Sequence, residues 1–138
     1  MSYKYLEHST DAFIEVKAKN LEEAFSVAGK SVVETIIDLE NIQEIEEKSI
    51  KVKGRNLLNL LYNWLEEIVT ITITDGFAIK KFSVNIKKNT EYEIVSKVSG
   101  EKLDLKKHNF KIEIKSPTFH LMEIKENDEI TMQYLLDL

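Results

Sequence analysis

The hydrophobic period of this chain changes at Asp75-Gly76, and that change limits the architectures open to it. The two long apolar patterns before the turn are helical, whereas the segments after it are mostly β. In the first, Asn20 offers an N-cap oxygen with Glu23 three residues on, and apolar positions recur at Leu21, Ala24, Phe25, Ala28, Val32 and Ile36. This predicts a helix from about Leu21 to Asp38. In the second, Asn56 caps a run through Leu57, Leu60, Leu61, Trp64, Leu65 and Ile68, and the stripe reads as core packing. Thr70 to Thr74 is β-branched and does not favour continuing that helix.

Strand patterns surround and follow the helices. Ala12, Ile14, Val16 and Ala18 share one face of a strand that starts at Asp11. A short alternating run covers Lys48 to Lys53, and Gly54 breaks it. Beyond the turn, strands are expected at Phe77 to Lys87, Tyr92 to Ser99, Phe110 to Lys115, Phe119 to Ile124 and Ile130 to Leu136, with antiparallel neighbours because the connections are short. The apolar phase slips between Ile79 and Phe82, which predicts a bulge near Lys80-Lys81. The single proline, Pro117, marks a bend or an edge. With no repeat and no linker in 138 residues, the expectation is an α+β fold: one domain over 1–138, two main helices packed on a mostly antiparallel sheet.

Composition excludes several functions. The net charge is -5, so nothing overall draws the chain to nucleic acid or an anionic membrane, and any RNA contact is expected to be weak or indirect. No apolar run approaches the ~20 residues needed to span a bilayer, and Met1 to Tyr5 lacks the features of a signal peptide. With no cysteine as well, the expected location is the cytoplasm. Four glycines, none in a phosphate-cradling arrangement, speak against a nucleotide-dependent enzyme.

The remaining chemistry lies at the two ends. Asp11 and Asp137 each oppose the apolar face of their strand, and Asp137 directly precedes the terminal Leu138, so hard oxygens gather there that suit Ca²⁺ or Mg²⁺. If the fold joins the ends, they form one site. His8, His108 and His120 have no ligand spacing and read as packing or surface residues. Ser9 and Thr10 beside His8 point to alternate faces and do not make a nucleophile with its base. Gly100-Glu101 with Lys106-Lys107-His108 reads as a solvated polar hairpin.

Taken in order, Tyr5-Leu6-Glu7-His8-Ser9-Thr10-Asp11, Leu21-Glu22-Glu23-Ala24-Phe25, Leu60 to Glu67, Gly100-Glu101, Lys107-His108, Glu113-Ile114-Lys115, Thr118-Phe119-His120 and Leu136-Asp137-Leu138 resemble the archease family over essentially the whole chain. The chain departs from the pattern in two places. The family's usual His-Thr-Ala-Asp is His-Ser-Thr-Asp here, and Pro117 replaces a small aliphatic residue. The resemblance implies a non-catalytic activator of an RtcB-type tRNA-splicing ligase, which joins RNA ends bearing a 2′,3′-cyclic phosphate or 3′-phosphate to a 5′-hydroxyl. The activator promotes guanylylation of the ligase's histidine and multiple turnover. It further implies a divalent metal, calcium first with magnesium or manganese as alternatives, held by Asp11, Asp137 and a main-chain oxygen of Leu138. It also implies a functional lysine, Lys115 or else Lys107. The competing reading is a general chaperone or modulator of RNA- or DNA-processing enzymes with a structural calcium site; a self-sufficient metal-dependent hydrolase lacks a general base. Oligomeric state stays open.

Overall fold

Two antiparallel sheets, rather than one, carry the two helices. The structure is a computed structural model that describes residues 2–6 and 10–138. Along the chain the elements are β1 (Ser2–Leu6), β2 (Asp11–Ala18), α1 (Leu21–Ile36), β3 (Glu46–Gly54), α2 (Leu57–Val69), a wider π-helical turn (Thr70–Thr74), β4 (Phe77–Lys88), β5 (Tyr92–Lys102), β6 (Ser116–Glu126) and β7 (Ile130–Asp137). One sheet has the order β1-β2-β7-β6 and the other β3-β5-β4. Helix α1 packs on β2 and β4, and α2 on β3 and β6, so each helix touches both sheets and the core lies between them.

The helices begin where their caps dictate. The Asn20 side chain accepts from Glu23 N at 2.9 Å, and Asn56 accepts from Asn59 N at 2.8 Å, each taking up an N–H that the first turn leaves without a helical partner. Ala24, Phe25, Val32 and Ile36 of α1, and Leu60, Leu61, Trp64, Leu65 and Ile68 of α2, are buried as their periodicity predicts. Each large apolar side chain so buried contributes about 1.5–3 kcal/mol.

Strand β2 alternates as expected, with Ile14, Val16 and Ala18 facing the core. The bulge in β4 falls between Ile79 and Lys81, and Lys80 Nζ reaches Leu39 O at 2.9 Å. Pro117 lies in β6, an edge strand, where a sheet tolerates proline.

Two expectations about single segments need correction, and one strand was not foreseen. Thr70 to Thr74 does continue as helix, in a wider winding: Asp75 N donates to Thr70 O, and Thr72 Oγ1 back-bonds to Ile68 O at 2.8 Å. Burial of Ile71 and Thr72 outweighs their β-branched preference. Phe110 to Lys115 is not a strand. Its N–H groups go to separate acceptors, Lys111 N to the Ile36 carbonyl at the end of α1 and Lys115 N to Asp137 O. That docks the segment without a ladder. Strand β1 has no counterpart in the sequence reading, since it is a short edge strand whose residues are half-buried or exposed. Among the described residues no helix is long and apolar enough to cross a membrane.

Candidate metal and partner site

Pairing of β2 with β7 places Asp11 directly opposite Asp137. Directly opposed residues project from the same face with Cβ atoms about 4.5–5.5 Å apart, close enough for two carboxylates to share one cation. Asp11 is half-buried and Asp137 exposed. Both line a cleft of about 560 Å³ together with Tyr62, Phe119 and His120. Asp11 also borders a second hollow, of about 410 Å³, where Leu138 lies with Tyr5, Thr35 and Ile112. The two ends of the chain therefore meet, as the shared-site reading requires.

The donor set is one of hard oxygens. Two neighbouring carboxylates with the group that follows them at Leu138 suit Ca²⁺ or Mg²⁺ better than a thiolate- or imidazole-preferring metal. Among the described residues no group of three or more His, Cys, Asp and Glu side chains converges. His8 and Ser9 lie outside the described residues, and Thr10 is exposed at a bend.

The two candidate lysines stand in different settings. Lys115 donates its backbone N–H to Asp137 O at 2.7 Å, while its side chain is exposed and borders a separate hollow, of about 270 Å³, beside the π-helical turn. Lys107 instead donates from Nζ to both oxygens of Glu101, at 2.8 and 2.9 Å. That carboxylate also accepts from Gln43 N at 2.7 Å and from His108 Nε2 at 3.0 Å. Asp104 N donates to His108 Nδ1 at 3.0 Å, which assigns the ring proton to Nε2. Lys107 above all, then His108 and Gln43, holds the Glu101 carboxyl down at about 2.

The polar hairpin is thus solvated only in part: Asp104 to Lys107 are exposed, but the residues that anchor it are not. Glu101 and His108 are buried, at 7% and 0% exposure, and their hydrogen bonds pin the 103–110 loop to β5 and to the Gln43 turn. His108 is a packing histidine with both ring nitrogens committed. His120 is exposed.

A match to the archease protein family (MTH1598/TM1083) spans residues 3–138. The chain belongs to the archease family. Protein archease of Pyrococcus abyssi is 34% identical over 125 residues, covering 90% of this chain and 88% of its own. The solution structure of Methanobacterium thermoautotrophicum protein 1598 superposes with a TM-score of 0.84 at 29% identity, over 99% of each chain. An archease of Thermotoga maritima, termed a possible chaperone, shares the fold at a TM-score of 0.63 and 20% identity, over 98% of this chain and 96% of its own. The motif resemblance and the chain-wide archease match agree.

Proposed function

We propose that this archease is a non-catalytic activator of an RtcB-type tRNA-splicing ligase, promoting the ligase's guanylylation and multiple turnover in the cytoplasm. The observation that carries the reading is the register that sets Asp11 against Asp137 at the end of the β2–β7 pair, beside Lys115. Asp11, Asp137 and the main-chain oxygen of Leu138 would hold a divalent cation, calcium first. Such an ion supplies positive charge that phosphate oxygens can share. The chain's own part is to present these donors on a strand pair backed by the core, with the Lys115 side chain free to meet a phosphate or a ligase carboxylate. A net charge of -5 suits a basic, RNA-binding cleft in the partner, so RNA is met through the ligase.

The second reading is a general chaperone or modulator of nucleic-acid-processing enzymes, in which the ion only ties the ends of β2 and β7 together. Its support is that both aspartates sit at strand ends, where a shared cation would staple the sheet. The experiment that separates the two is guanylylation of the cognate ligase, supplied in excess over nothing else than GTP and metal, with and without this protein. Stimulation abolished by Asp137→Ala supports activation; a ligase indifferent to the protein overturns it.

A further inference from the structure

The edge strand β6 carries a feature that the acidic pair does not explain. Thr118 pairs with Leu135 and Glu123 with Gln133, so residues 119–122 stand against Tyr134 alone. The extra residues push Phe119, His120 and Leu121 into solvent, with Phe119 52% and Leu121 43% exposed. Leu121 has φ of 60°, a left-handed conformation that a bulky residue rarely adopts. Backbone strain held in place to expose two large apolar side chains points to use.

The bulge is also built rigidly. Gln133 Nε2 donates to Leu121 O at 2.9 Å, and His120 N donates to Thr118 Oγ1 at 3.2 Å. The Phe119 ring stacks on Tyr62, centroids 4.4 Å apart and planes 11° from parallel, so it is oriented before any partner arrives. A preformed anchor loses little conformational freedom on binding. Phe119 and His120 line the same cleft as Asp11 and Asp137, so whatever covers the carboxylates also meets the Phe119 side of the bulge.

We infer that the β6 bulge, led by Phe119 and Leu121, is a preformed plug that seats in an apolar socket of the partner ligase, beside the basic cleft that receives the acidic pair. This rests on the activator reading. The occupant is a protein surface with a basic rim, because adjacent carboxylates repel a nucleic-acid backbone while paired apolar anchors fit the buried centre of a protein interface.

The test measures affinity for the cognate ligase with the full chain, comparing wild type, Phe119→Ala and Leu121→Asn. Asparagine tolerates a left-handed φ better than leucine, so Leu121→Asn removes the apolar side chain and keeps the bulge. Its unfolding midpoint should equal or exceed that of wild type, while its Kd for the ligase rises at least tenfold. Guanylylation should return to the wild-type maximum at saturating Leu121→Asn, since the carboxylates are untouched. Wild-type affinity in both variants would overturn the plug. So would loss of binding to a single-stranded RNA oligonucleotide with ligase affinity retained, which would make Phe119 a nucleobase platform. A wild-type protein that neither binds nor stimulates the ligase would remove the activator reading and this inference together.

Discussion

The indole Nε1 of Trp64, on α2, donates to the carbonyl oxygen of Phe25, on α1, at 2.8 Å. Trp64 is fully buried and meets the Phe82 ring of β4 edge-on, at 6.0 Å and 65°. One side chain thus ties both helices to the three-stranded sheet. The polar N–H needs a partner at that depth, and a helix carbonyl supplies one.

Trp64→Ala should therefore cost about 3–5 kcal/mol, the range for removing a large buried aromatic. Trp64→Phe keeps much of the packing and forfeits the hydrogen bond, worth about 1 kcal/mol, so it should cost clearly less than Ala. Urea unfolding of the two variants checks the order. If Trp64→Ala left the unfolding midpoint unchanged while ligase binding was lost, α2 would be a docking surface and the core assignment would fail.

The Glu101 network predicts a pH dependence. The folded protein holds this carboxyl at about 2 against an ordinary 4.5, so the ionised form is favoured by folding. Its contribution is complete above about 4.5 and is lost as pH falls through about 2. Between those limits the wild-type midpoint should fall more steeply than that of Glu101→Gln, which carries no titrating group there. Parallel curves for the two proteins would show that the network does not couple folding to this proton.

How much of this was readable in the chain depends on whether a residue's role is local. Asn20 and Asn56 cap helices through residues three positions away, and the alternation of Ile14, Val16 and Ala18 needs only the pleat, so both are visible in sequence. The acidic pair was legible as two outward-facing aspartates, but their meeting depends on β2 pairing with β7, a contact between the ends of the chain. Glu101 was read as part of a solvated hairpin because charged residues near a glycine suggest solvent, whereas its carboxylate is buried with His108 and Gln43 as partners. Nothing local reveals that a turn 58 residues upstream donates to the same carboxylate. The π-helical turn was hidden likewise, since β-branched threonines are poor helix formers until one of them back-bonds and its neighbour is buried.

Two glycines give a graded test of backbone fit. A Cβ added at Gly100 would lie 1.9 Å from Ala78 O, across the β4–β5 pair, whereas one at Gly76 would meet nothing within 4 Å. Gly76 has φ of 63°, so there only the left-handed conformation opposes a side chain. Gly76→Ala should cost about 1–2 kcal/mol. Gly100→Ala must move a strand and should cost more, reaching or exceeding the ~1–3 kcal/mol typical of overpacking. Equal midpoints for the two would contradict the close approach at Gly100.

Asp137→Ala separates stability from function. The side chain is exposed at the end of β7 and directly faces Asp11, so its removal takes away a like-charge neighbour and little packing. Without divalent cation the variant should match wild type within about 0.5 kcal/mol, as surface changes usually do. With calcium at about 100 times its Kd, wild type should gain about 2.7 kcal/mol, and the variant should gain far less. Thermal unfolding with and without calcium reads both effects, and ligase guanylylation supplies the second axis. A variant that still responds to calcium would place the ion elsewhere. One that loses the calcium response yet activates the ligase fully would leave the acidic pair a staple for the sheet, which is what the chaperone reading requires.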